Sequence, residues 1–182
     1  MSESEEKRSK WSELKENRAF RWTRDFMFFA VVLGSVMWWQ TRGHVISGEP
    51  APELQLGALA GEPFDLAASD KPTVVFFWAP WCSVCHADAH NIDAVREAVG
   101  EDANVVSVAL SYESLDDVQG FVDKHGVTSP VLLGNRRVTD DWRVQAFPTI
   151  YIVNSKAEVA YSMVGYTTEI GLRLRLATLG VF

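Results

Sequence analysis

Cysteine is nearly absent from this sequence: only Cys82 and Cys85 occur in 182 residues. A framework of disulfides is therefore excluded as the source of stability, and a hydrophobic core must supply it. With 47% hydrophobic and 23% charged residues, the chain has material for one globular domain plus an appendage and lies far from a disordered composition. Basic charge is the next shortage. Lys and Arg number 17 against 24 Asp and Glu, a net charge of −7. No Lys/Arg cluster outside the amino-terminal region offers a phosphate footprint, which excludes nucleic acid as a general partner. There is no internal repeat, and no uncharged run reaches the ~20 apolar residues of an ordinary membrane-spanning helix.

One run comes close, and it organises the amino terminus. Residues 1–25 carry Lys7, Arg8, Lys10, Lys15, Arg18, Arg21 and Arg24 against six acids and form a polar tail. Phe26 to Trp39 is then uncharged and strongly apolar, and Gln40-Thr41 extend it to Arg42. Its length alone suits the core of a cleaved signal peptide, with Val45-Ile46-Ser47 as a weak cleavage site. Arg24 and Arg42 can snorkel at the two ends, however, and Trp38-Trp39 suit a membrane–water interface, which favours an uncleaved single-pass anchor over 26–42. Arg18, Arg21 and Arg24 precede the run while only Arg42 follows closely, so positive-inside bias puts the tail in the cytoplasm. A tether over 43–52 and a domain over 53–182 are then expected outside a bacterial inner membrane, in the periplasm of a Gram-negative cell.

Within that domain the elements alternate. Glu53 to Leu56 and Glu62 to Leu66 read as short strands able to form a hairpin, and Thr73 to Trp78 as a strand apolar on both faces. Cys85, Ala89, Ile92, Val95 and Val99 fall at helical spacing up to Gly100. Asn104 to Leu110 is a second buried strand, and Ser114 caps a helix ending near His125-Gly126. Val131-Leu132-Leu133 is a short apolar piece and 139–144 a helical turn. Ile150 to Val153 and Glu158 to Val164 form an antiparallel pair around the turn at Asn154. A last helix is capped at Thr167 or Thr168, with Ile170, Leu172, Leu174, Leu176 and Leu179 supplying its buried side. The order β-α-β-α, then β-β-α, predicts an α/β domain with a mixed central sheet flanked by helices.

The chemistry-bearing stretch lies where the strand 73–78 passes through Ala79-Pro80-Trp81 into Cys82-Ser83-Val84-Cys85-His86. Two cysteines two residues apart at a strand-to-helix junction are a thiol–disulfide motif. The same residues satisfy C-x-x-C-H, the pattern of c-type haem attachment. That chemistry has no use for the buried strand with Trp78 before the pair, and no distal Met or His stands out as a second ligand. Soft thiolates also suit Cu(I), so copper capture by Cys82 and Cys85 stays open.

From Ala51-Pro52 to Leu179 the chain resembles the thioredoxin-like superfamily, and in particular its membrane-anchored TlpA/ResA-type thiol–disulfide oxidoreductases. The resemblance is carried by Phe77-Trp78-Ala79-Pro80-Trp81-Cys82-Ser83-Val84-Cys85, by Phe147-Pro148-Thr149 before a strand, and by Gly165 before the last helix. Within that branch the short tethered chain ending in Gly171-Leu172-Arg173-Leu174-Arg175-Leu176 is similar to the copper-sensitivity-suppressor D type. The resemblance implies the thioredoxin fold and a redox-active Cys82–Cys85 disulfide, with no cofactor and no metal beyond it. The partners it implies are client proteins with cysteines or disulfides and an integral-membrane thiol–disulfide transporter as electron donor. It favours reduction over oxidation.

Cys82, in the first helical turn, gains from unpaired N–H groups and the helix dipole and is the expected nucleophile. Cys85, one turn inside and buried, is the expected resolving thiol. By resemblance, Pro148 is the cis-proline beside the pair, and Trp81, Phe147, Pro148 and Thr149 line the substrate groove. Asp88, three residues after Cys85, matches an acid of the TlpA/ResA pattern and is the candidate for proton transfer, while His86, expected to be exposed, is a candidate for tuning the thiolates. Two departures stand out. Phe76 replaces the buried acid many thioredoxins carry six residues before the first cysteine, and His90 replaces a proline that commonly kinks the helix.

Overall fold

The computed structural model describes residues 22–35 and 47–182. The chain divides into two units, Met1–Gly43 and His44–Phe182. In the first, residues 22–35 form a helix, α1, whose residues are all exposed, Phe26, Met27, Phe28, Phe29, Val31 and Leu33 among them. No helix among the described residues is long and apolar enough to cross a membrane. The remainder of the anchor expected at 26–42, and residues 1–21 of the expected tail, lie outside the described residues.

In the second unit, β1 (Gln55–Leu56) and β2 (Phe64–Asp65) form a small antiparallel pair, in register Gln55↔Asp65 and Leu56↔Phe64. The main sheet contains β3 (Thr73–Trp78), β4 (Asn104–Ala109), β5 (Val131–Leu133), β6 (Thr149–Val153) and β7 (Val159–Val164), in the order β5-β4-β3-β6-β7. β3 runs parallel to β4 and antiparallel to β6, so it is hydrogen-bonded on both edges. All six of its residues are buried, as expected of a central strand covered on both faces.

Alternation along β3 divides the interior into two cores. Val74, Phe76 and Trp78 point to one face and pack with Cys85, Ala89, Ile92 and Val95 of α2 (Ser83–Val99), Val118 and Phe121 of α3 (Leu115–His125), and Leu172 and Leu176 of α5 (Glu169–Ala177). Val75 and Phe77 point to the other face, where they meet Leu54, Leu66, Trp142 and Tyr151. The ring of Phe77 lies 5.3 Å from Trp142 and 6.0 Å from Tyr151. The Tyr151 hydroxyl donates to the Trp142 carbonyl at 2.7 Å, which removes the polar cost of burying that phenol.

Three expectations change. The helical turn placed at 139–144 is α4 (Arg136–Asp141), begun three residues earlier because the Asn135 side chain accepts the Val138 N–H and caps it. On α5, Leu172 and Leu176 are fully buried and Leu179 partly so, but Ile170 and Leu174 are 70% and 65% exposed. Residues two apart are separated by about 200° around a helix, so only one of the two apolar stripes can face α2. The tether expected at 43–52 is pinned over its second half: Gly48 N–H donates to Val159 O, Val159 N–H to Glu49 O, and Ala51 N–H to Ala157 O.

Gly134 shows how tightly β4 is covered. A Cβ there would meet Leu110 Cδ2 at 2.4 Å and Val108 Cγ1 at 2.8 Å, whereas one on Gly120, inside α3, meets nothing within 4 Å. Gly134→Ala should therefore destabilise the domain by about 1–3 kcal/mol through overpacking, while Gly120→Ala should stabilise it by up to about 1 kcal/mol through helix propensity. Urea unfolding of the two variants checks the opposite signs.

Candidate active site

β3 ends at Trp78, whose carbonyl accepts Leu110 N–H at 2.8 Å, and the chain turns through Ala79, Pro80 and Trp81. Cys82 N–H donates to Ala79 O at 3.1 Å, closing that turn. Cys82 then serves as the N-cap of α2, with extended backbone (φ −80°, ψ 106°), and its Sγ accepts Cys85 N–H at 3.1 Å. The sulfur thus stands where free helix N–H groups and the positive end of the dipole meet, which favours negative charge there. Cys82 and Cys85 are joined in a disulfide across a Cα–Cα distance of 5.2 Å. Cys82 keeps 5% of its surface exposed and Cys85 none. Of the two, only Cys82 can be approached from solvent.

Phe147-Pro148 is a cis peptide. Phe77 pairs with Thr149 in the β3–β6 register, which carries Pro148 to the level of Trp78, beside the loop that leads to Cys82. Pro148 O accepts Gly165 N–H at 2.9 Å, tying this corner to the end of β7. Trp81 spans the site. Its indole N–H donates to Ser111 O at 2.9 Å, its ring meets the Phe147 ring edge-on at 5.6 Å, and it remains 66% exposed. Trp81 and half-buried Phe147 therefore border the site on the surface, where Cys82 keeps its small exposure, while Pro148 is itself buried. Thr149 does not border the site: the residue is fully buried, and its hydroxyl donates to Ala146 O at 2.7 Å. As a strand residue between β3 and β7 it has no side chain to offer a client.

Asp88 is buried in α2 beneath Cys85 and turns toward the start of α5, not toward solvent. Its carboxylate accepts the Thr167 N–H at 3.2 Å and the Asn91 amide at 3.1 Å. Asn91 also donates to Thr167 O at 3.1 Å, so the two side chains clamp that loop. Burial pushes the Asp88 carboxyl above its ordinary value, against the opposing pull of the hydrogen bonds from Asn91 and Thr167. The strand position six residues before Cys82 holds buried Phe76, so Asp88 is the one buried acid among the described residues.

His86 is half-buried where exposure was expected. Its ring packs on Phe121 at 4.8 Å and on His125 at 4.7 Å, and its Nδ1 contacts His125 Nε2. Its reach is toward α3. Burial, then the charges of His86 and Lys124, hold His125 below the ordinary histidine range. Phe121 stacks in turn on Trp78 at 4.0 Å. The sequence marks His125 as a helix end, but it carries no signal that His125 and Phe121 converge on His86. Asn91 was not singled out, and Thr167 only as a candidate helix cap, a role that falls to Thr168; their hold on Asp88 is not legible because the pairing spans 76 residues.

The raised Asp88 value has a sign. A carboxyl whose folded value lies above its unfolded 3.8 stabilises the fold most below that pH, and this contribution is lost as pH rises through the folded value. The stability of the wild type relative to Asp88→Asn should therefore fall as pH rises from about 4 upward. Urea unfolding of both proteins across that range checks it; a constant difference would mean that Asp88 titrates normally.

With this geometry in place, the chain can be set beside known proteins. The thioredoxin-like protein YneN of Bacillus subtilis is 29% identical over 125 residues, covering 67% of this chain and 74% of that protein. The thiol–disulfide oxidoreductase ResA of Halalkalibacterium halodurans is 25% identical over 125 residues, covering 68% and 71%. Among solved structures, a DsbF homologue from Corynebacterium diphtheriae superposes with a TM-score of 0.68 at 21% identity, covering 76% of this chain and 94% of that one, which establishes the thioredoxin fold. Residues 47–162 match the AhpC/TSA family. The chain belongs to the AhpC/TSA family and is one of its thioredoxin-like members.

Proposed function

We propose that the protein is a membrane-anchored thiol–disulfide oxidoreductase that acts on client proteins outside the inner membrane, in the direction of reduction. The observation that carries the reading is the Cys82–Cys85 disulfide at the N-terminus of α2, bordered by Trp81 and the cis Phe147-Pro148 corner. The relatives named as thiol–disulfide oxidoreductases support it. The anchor reading is supported by the exposed apolar face of residues 26–33 and by the arginines that flank the run.

The exchange then runs as follows. In the reduced enzyme the Cys82 thiolate attacks one sulfur of a client disulfide; a Cys82–client bond forms and the other client sulfur leaves as thiolate. Cys85, deprotonated, attacks Cys82 Sγ, which releases the second client thiol and closes the Cys82–Cys85 disulfide. Two electrons pass to the client, and solvent protons complete its thiols. An integral-membrane thiol donor returns the enzyme to the dithiol state. Asp88, one turn from Cys85 and holding a raised proton affinity, serves as the acceptor for the Cys85 proton. Pro148 lacks an N–H, so a client backbone can lie along this corner, with Trp81 and Phe147 contacting its side chains.

Two outcomes test this assignment. Cys85→Ser should accumulate client mixed disulfides through Cys82, visible as reducible high-mass adducts, while Cys82→Ser should accumulate none. Adducts formed through Cys85 instead would reverse the division of labour. Thiol trapping in growing cells should find the wild-type pair mainly reduced. A mainly oxidised pair would make the protein an oxidase.

A further inference from the structure

Beside Trp81, the residue before Cys82, lies a groove of about 460 Å³ that the exchange chemistry does not itself require. One end is Pro80 and Trp81, and the far wall is the loop and first turns of α3. Its apolar surface is aromatic: Trp81, Tyr112 and Phe121. Its charge is mostly negative, from Glu113, Asp116 and Asp117, against Lys124. Asp117 is committed to the capping box of α3, accepting Ser114 N–H and hydroxyl at 2.9 Å, but it keeps its charge. Glu113 and Asp116 are exposed.

The wall is held still. Trp81 is fixed to Ser111 O, immediately before Tyr112 and Glu113, and Phe121 is clamped between Trp78 and the His86–His125 pair. A client polypeptide that reaches Cys82 beside Trp81 lies next to this groove, because Trp81 forms one end of it. A long basic side chain fits it in both respects: the aliphatic stem lies along the aromatic rings, and the cation meets the carboxylates and the indole face.

We propose that this groove is a specificity subsite for a Lys or Arg that flanks the client cysteine. The inference rests on the thiol–disulfide exchange proposed above and names the client class that exchange serves: polypeptides with a basic residue within a few positions of the reacting sulfur. Asp116 and Asp117 also lie in the first turn of α3, whose positive end offsets part of their field, and Lys124 is the one lysine or arginine of the lining, so the three carboxylates leave the groove net negative.

The test separates binding from turnover. Three otherwise identical peptides carry Lys, Gln or Glu beside a central Ser that replaces the cysteine, and their affinity for the oxidised full-length protein is measured by calorimetry. The Lys peptide should bind about three- to tenfold more tightly than the Glu peptide, the scale of one or two partly exposed ion pairs with a cation–π contact, and the gap should narrow in high salt. Glu113→Gln with Asp116→Asn should bring the ratio close to one, with thermal unfolding confirming that the variant is folded. Equal binding of all three peptides, no binding by any, or a preference that survives in the double variant overturns the subsite. Cysteine versions of the same peptides, supplied as disulfides, report turnover separately. If none is reduced while the Lys preference holds, the exchange reading fails and the subsite stands.

Discussion

The site depends on the confinement of β3. Paired in parallel to β4 and antiparallel to β6, and buried on both faces, this strand can neither slip nor tilt without breaking two ladders and two cores. A slip of one residue would exchange the sets Val74/Phe76/Trp78 and Val75/Phe77 between faces that are shaped differently. Its last residue is therefore placed with little freedom, and the turn of Ala79, Pro80 and Trp81 transmits that placement to Cys82. The same ladder sets Pro148, because Thr149 is registered against Phe77. Two segments some 65 residues apart thus meet near one sulfur through backbone pairing, with Trp81 and Phe147 in ring contact across them.

That arrangement makes the two cysteines unequal. Cys82 caps the helix and keeps a sliver of surface, while Cys85 is sealed among Ala89, Ile92 and the apolar side chains of the lower face. Attack from outside reaches one sulfur, and resolution comes from the other. Asp88 adds the only buried carboxyl among the described residues, held by a loop contact from the far end of the chain, so its proton affinity depends on the docking of α5 as well as on α2. The aromatic column of Trp78, Phe121, His86 and His125 couples the strand, the start of α2 and the end of α3 on the opposite flank.

Much of this was legible in the sequence where burial is complete. β3 appears as an unbroken apolar run, and α2 as an apolar stripe from Cys85 to Val99, because a fully covered element has one pattern that satisfies it. The cis corner was legible only through resemblance, since Phe147-Pro148 is locally just an X-Pro pair. Periodicity failed where an element carries more apolar surface than the fold covers: α5 offers two stripes, and only the packing against α2 selects Leu172 and Leu176 over Ile170 and Leu174. Resemblance, for its part, put Thr149 in the groove, whereas the residue is buried and its hydroxyl is absorbed by a local bond to Ala146 O. The groove of Trp81, Tyr112 and Phe121 was not visible either, because its walls come from three separated segments that only the folded sheet brings together.

Whether Cys82 and Cys85 turn over as a dithiol can be read from the purified full-length protein, reduced, assayed for metal content, and followed in its reduction of insulin disulfides with a thiol donor present. Metal-free protein should turn over repeatedly, and Cys82→Ser should lose all activity. A reduced protein that binds Cu(I) tightly through the pair and reduces no disulfide would instead be a metal-binding module.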